Sequence, residues 1–88
     1  MKRYIIISYD FRPDEPSAAY EAQIRQGFGE LGWTVTQYGG GSSNVHRCYV
    51  DIESDERELD RATLVRTLER LSIPVGDLAI HGDLSPEK

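Results

Sequence analysis

Cysteine is all but missing. Cys48 is the single one in 88 residues, so no internal disulfide can staple the chain, a usage that fits a reducing cytoplasm. Long apolar runs are missing too. No aliphatic run exceeds Ile5-Ile6-Ile7, far below the ~20 apolar residues that a membrane helix needs. The basic Met1-Lys2-Arg3 start is not followed by the apolar stretch of a secretory signal. Positive charge is scarce: 10 Lys and Arg stand against 15 Asp and Glu, a net charge of −5, which opposes a nucleic-acid phosphate backbone. There is no internal repeat, and low complexity is confined to Gly39-Gly40-Gly41-Ser42-Ser43-Asn44. What remains is 39% apolar and 28% charged, the balance of a folded domain rather than a disordered chain. The length sets one domain over 1–88. A chain this short buries only about 60–65% of its unfolded surface, so further burial by homodimerisation is expected.

Tyr4 to Tyr9 reads YIIISY, β-prone and nearly apolar on both faces, as a central strand does. Pro13 and Pro16 break it, since proline cannot donate to a ladder. Ser17 is a suitable N-cap, and Tyr20, Ile24, Phe28 and Leu31 follow at helical spacing, predicting a helix over 18–31 that ends at Gly32. Gly27 and Gly29 weaken that helix by roughly 1 kcal/mol each relative to alanine and hint at close packing or at a helix that frays early. Trp33 to Tyr38 alternates as a strand, and the glycine-serine stretch reads as a loose hairpin loop. Val45 to Ile52 puts Cys48, Val50 and Ile52 on one face and Arg47, Tyr49 and Asp51 on the other. Asp55 and Glu58 form a D-x-x-E capping pair ahead of a helix carrying Leu64, Leu68 and Leu71. A turn over 72–77, a short strand over 78–81 and a polar tail over 83–88 complete the chain.

Strand, helix, strand, strand, helix, strand is the βαββαβ order. It predicts an α+β, ferredoxin-like domain: a four-stranded antiparallel sheet with both helices on one face. The other face is then open. It carries Arg47, Tyr49 and Asp51 together with either Tyr4, Ile6 and Ser8 or Ile5, Ile7 and Tyr9. Monomers seldom leave such a patch to water, so sheet-to-sheet homodimerisation is the first expectation for Tyr4, Ile6, Arg47 and Tyr49. A stacking platform for single-stranded RNA is the sharper one, although Arg47–Ile52 lacks the glycine of the usual aromatic motif and the net charge is opposed to it.

Ser8-Tyr9-Asp10 places a carboxylate where an apolar strand enters a loop. Such a group commonly caps the turn. It can also hold Mg²⁺, which favours one or two carboxylates with water and phosphate, and two copies across a dimer axis could activate water. Lys2-Arg3-Tyr4-Ile5-Ile6-Ile7-Ser8-Tyr9-Asp10 resembles the opening of the small CRISPR-associated adaptation proteins and their relatives, the virulence-associated protein D ribonucleases. That resemblance implies a ferredoxin-like homodimer with a nuclease-like fold, in which Asp10 would be the catalytic metal ligand for cleaving nucleic acid with Mg²⁺. The chain departs from the family's pattern in three places. Arg12 is the lone basic residue between Asp10 and the first helix, the Gly39–Asn44 stretch replaces a compact turn, and no clear extra strand follows His81.

The remaining candidates read as structural. Gly39–Ser43 has neither the lysine nor the helix of a phosphate cradle. His46 and His81 lack partners at metal-ligand spacing, and Cys48 sits among alternating core positions without a base. Asp51, Glu53, Asp55, Glu56, Glu58 and Asp60 form an acidic run that reads first as a solvated face with helix N-terminal acids. Its functional reading is a surface, centred on Glu53, Asp55 and Glu56, that docks a basic protein partner. The whole therefore admits a Mg²⁺-dependent nuclease or an inactive scaffold of that kind, a non-enzymatic protein-binding module, or an RNA-binding sheet.

Overall fold

The computed structural model describes residues 2–10, 17–42, 45–73 and 76–85. Four strands, β1 (Lys2–Asp10), β2 (Thr34–Ser42), β3 (Val45–Asp55) and β4 (Gly76–Gly82), alternate with helices α1 (Glu21–Glu30) and α2 (Arg61–Arg70). The sheet order is β2-β3-β1-β4, and every neighbouring pair is antiparallel. This is the ferredoxin-like arrangement, with the two most apolar strands at its centre. Its core joins Ile5, Ile7 and Tyr9 of β1 and Cys48, Val50 and Ile52 of β3 to Ile24 and Phe28 of α1 and Leu64 and Leu68 of α2. Both helices thus cover one face of the sheet. The two registers possible for β1 are resolved: Ile5, Ile7 and Tyr9 are buried, and Tyr4, Ile6 and Ser8 face away from the helices.

Several boundaries move. The predicted first helix begins as a 3₁₀ turn over Ser17–Tyr20, and α1 proper starts at Glu21 with no side-chain cap. It ends as expected at Gly32, whose φ of 83° is a left-handed conformation suited to glycine. Of the two helical glycines, Gly27 is buried against the Leu71 side chain, while Gly29 has open space beside its Cα. The glycine-serine stretch is no loop through most of its length. Gly39, Gly40 and Ser42 all pair with β3, so the hairpin is longer than its composition suggests; positions 43–44 lie outside the described residues, as does the predicted break at Pro13 and Pro16.

The capping pair is corrected as well. The α2 N-cap is Asp60, whose carboxylate accepts from the Thr63 N–H at 2.7 Å, not Asp55. β3 runs on to Asp55, and Glu56 then turns the chain at a φ of 67°. β4 is also longer than predicted and includes Gly76, Asp77 and Gly82. Beyond it, Leu84 packs on the core and Ser85 bridges to Asp60, its N–H donating to the Leu59 carbonyl at 2.9 Å.

Candidate binding face

The open face is set by strand alternation. In register across the two central strands stand Tyr4 with Glu53, Ile6 with Asp51, Ser8 with Tyr49, and Asp10 with Arg47. On β4, His81 lies opposite Ile6 and Ala79 opposite Ser8. The large hydrophobic side chains left exposed are Tyr4 at 53%, Ile6 at 47% and Tyr49 at 49%. They are contiguous: Tyr4 and Ile6 are two apart on β1, and Tyr49 is diagonal to Ile6, a separation of about 7–8 Å that aromatic side chains span.

Charge surrounds this apolar centre unevenly. At one end Lys2 pairs with Glu53 at 3.7 Å, and Asp55 lies opposite Lys2. A polar cleft of about 300 Å³ opens there, between Lys2, Thr34, Glu53, Asp55 and Arg57. The two surfaces read separately from the sequence, the open sheet and the acidic run, therefore meet: Glu53 and Asp55 are the rim of the sheet face. Glu56 is exposed in the turn beyond it, while Glu58 lies off the sheet and Asp60 is committed to capping α2.

At the other end Arg47 is engaged three ways. Its guanidinium donates to the Asp77 carboxylate at 3.1 Å, to the Ser8 hydroxyl at 3.1 Å and to the Ser8 carbonyl at 3.4 Å. Asp10 occupies the neighbouring register position, next to Gly76, where a Cβ would lie 3.6 Å from its own. The candidate metal ligand thus stands on the open face in register with an arginine. Among the described residues, no cluster of three or more His, Cys, Asp or Glu side chains is placed to hold a metal ion, and no helix is long and apolar enough to cross a membrane. Counted over the face, Asp10, Asp51, Glu53, Asp55 and Asp77 oppose Lys2 and Arg47, a net of −3 within the whole chain's −5.

Cys48 is buried on the helix-facing side. Tyr9 and Tyr38 lie beside its thiol, and burial is the main cause that pushes both phenols well above the ordinary tyrosine range. This group is a polar knot in the core, inaccessible to a substrate. Tyr38 joins it only once the glycine-rich half of β2 is paired, so no side-chain pattern along the chain announces it.

Fold and face together define a small α+β domain with an amphipathic, acidic, aromatic sheet surface. No protein-family model, curated protein or solved structure matches the chain.

Proposed function

We propose that this protein is a non-enzymatic binding module whose working surface is the open sheet face, and that its partner is a protein segment combining basic and apolar side chains. The observation that carries this reading is the contiguous Tyr4, Ile6 and Tyr49 patch, half-exposed on the two central strands and bordered by a surplus of carboxylates. Apolar groups of a partner gain by covering the patch, roughly 25 cal/mol for each Å² removed from water. Lysine or arginine side chains meet carboxylates at its rim and tyrosine rings at its centre. The same charge count disfavours the other occupants. Two such faces packed together bring −3 against −3, and a phosphate backbone meets the same repulsion.

A synthetic peptide alternating lysine and leucine is the probe, titrated calorimetrically at low and high salt. Ile6→Ser and Tyr49→Ser are each expected to weaken binding about tenfold, the cost of one lost apolar anchor. Asp51→Asn with Glu53→Gln is expected to weaken it at low salt and flatten the salt dependence. Glu30→Gln with Glu69→Gln, on the opposite, helical layer, is the control. An equal loss from that control would mean general charge attraction and overturn the assignment to the face.

A further inference from the structure

The two edges of the sheet are finished differently. On β2, the α1 residue Arg25 donates to the Val35 carbonyl at 2.9 Å, and register shifts interrupt the strand between Val35 and Gln37 and between Gly40 and Ser42. Bulges and a covering charge are the usual ways of preventing an edge from pairing further.

β4 carries one register shift of its own, where Asp77 and Leu78 together face Tyr9, and beyond it the ladder runs unbroken from Ala79 to Gly82. The Asp83 N–H donates to the Tyr4 carbonyl at 2.8 Å, and the Tyr4 N–H donates to the Asp83 carboxylate at 2.9 Å. Tyr4 and Asp83 are thus a hydrogen-bonding position of the β1–β4 ladder, and alternation makes Ile6 with His81 and Ser8 with Ala79 the next ones. Ile80, opposite Ile7 between them, therefore turns its backbone N–H and C=O away from β1, and Leu78, between the paired Ala79 and the register shift, has no partner of its own on β1. Among the described residues, no hydrogen bond outside the ladder engages Leu78 or Ile80. Their side chains are half-buried on the helix-facing side, where Leu78 borders a cleft of about 290 Å³ with Val65, Leu68 and Ile73.

We infer that this edge pairs with the same edge of a second copy, β4 against β4, antiparallel about a two-fold axis at Ala79. The backbone dictates the register. Outward-turned groups must meet outward-turned groups, and an axis at Ala79 sets Leu78 opposite the partner's Ile80, twice over. Each of these two pairs exchanges two N–H···O bonds. A slip of one residue sets outward groups against inward ones and forms none. An axis at Ile80 satisfies the backbone but puts glycine opposite Leu78. With the axis at Ala79, Leu78 and Ile80 cover the partner's Ile80 and Leu78 on the helix side. On the open side Asp77 stands opposite the partner's His81, an acceptor facing a donor. The strand reads as its own complement.

An axis of this kind is normal to the sheet. It yields one eight-stranded sheet with four helices on one side and both open faces on the other, the two β1 strands about 14 Å apart at ~4.8 Å per strand. The inference concerns the edge alone and stands independently of what the open face binds.

Cross-linking tests it. In this register the two copies of residue 79 form a non-hydrogen-bonded pair with Cα atoms about 4.5 Å apart, within disulfide range. Its side chain is on the open side with Ser8, whereas the native Cys48 is buried. The wild-type protein is expected to sediment as a concentration-dependent dimer. Ala79→Cys should form a disulfide-linked dimer under mild oxidation, while Ile6→Cys and His81→Cys stay unlinked. Ile80→Lys, which places a charge at the edge, should weaken the dimer about tenfold or more with an unchanged circular dichroism spectrum. A monomer at concentrations near ~500 µM, or linkage through Ile6→Cys in place of Ala79→Cys, would overturn it; the latter would mean pairing through the sheet faces.

Discussion

At the residue scale, glycines divide by the space around them. Gly27 and Gly29 sit in the same helix two positions apart, and their presence hinted at an early-fraying helix or at positions of close packing. Only Gly27 is one, since a Cβ there meets Leu71, whereas at Gly29 a Cβ meets nothing within 4 Å. Gly29→Ala should stabilise the protein by about 0.4–1 kcal/mol, because it removes backbone freedom from the unfolded chain without cost to the fold. Gly82 is the opposite case. Its φ is 122°, and a Cβ there would collide with the Tyr4 carbonyl oxygen, at the point where the chain leaves β4 and Asp83 closes the ladder. Gly82→Ala should therefore destabilise by about 1–3 kcal/mol. Urea unfolding of the two variants checks both signs, and a stabilising Gly82→Ala would refute the conformation assigned to the end of β4. The paired nature of Gly39 and Gly40 was hidden for a related reason. A residue without a side chain contributes nothing to an alternating pattern, even where its backbone is fully in the ladder.

At the scale of elements, what could be read from the sequence was whatever side-chain period carries. The alternation of Cys48, Val50 and Ile52 against Arg47, Tyr49 and Asp51 gave the faces of β3 directly, and the leucine spacing gave α2. Tyr4–Tyr9 left its register open because it is apolar on both sides; only pairing to β3 decided that Ile5, Ile7 and Tyr9 go inward. Caps were less legible. Asp55 with Glu58 matched the sequence signature of a capping box, but β3 continues to Asp55, and the helix begins where Asp60 can reach the Thr63 N–H. The bonds from the Thr63 hydroxyl and backbone to this carboxylate hold its pKa below the usual aspartate value. A lowered folded-state pKa contributes stability that is fully present above the unfolded value and is lost as pH falls through the folded one. Asp60→Ala should thus lower the melting temperature at pH 7, and the gap to wild type should close at pH values below the ordinary carboxyl range. Asp60→Asn, which keeps an acceptor for Thr63, should fall between the two. Thermal melts of the three proteins across that range decide it, and a gap that persists at acid pH would mean that the aspartate acts through packing and not as a charged cap.

At the scale of the whole molecule, the distribution of charge separates the binding reading from the nuclease that the resemblance of residues 2–10 implies. Asp10 lies on the open face, as that reading requires, but its register partner is Arg47. The guanidinium is held in place by Asp77 and by Ser8, two residues before Asp10, so a fixed positive charge stands on the strand position paired with Asp10. A metal ion at Asp10 would meet repulsion from that fixed positive group, which lowers its affinity. The rest of the face repels the substrate that a metal would serve, because five carboxylates against two cations leave it at −3, and the chain as a whole is at −5. Approach of a polyphosphate to such a surface is slowed and weakened, most strongly at low ionic strength where screening is least. Wild-type protein incubated with mixed RNA and DNA is therefore expected to give the same products with Mg²⁺ as with EDTA, and the same as Asp10→Asn. Retention of labelled single-stranded RNA should be undetectable even at low salt, where a basic surface would hold it most firmly. Arg47→Ala supplies the sharper arm. If Asp10 is a metal ligand masked by its arginine neighbour, removing the guanidinium should create Mg²⁺-dependent cleavage that Asp10→Asn abolishes. If the face instead serves a cationic protein partner, the same change should raise affinity for the lysine-leucine peptide, because it takes the face from −3 to −4.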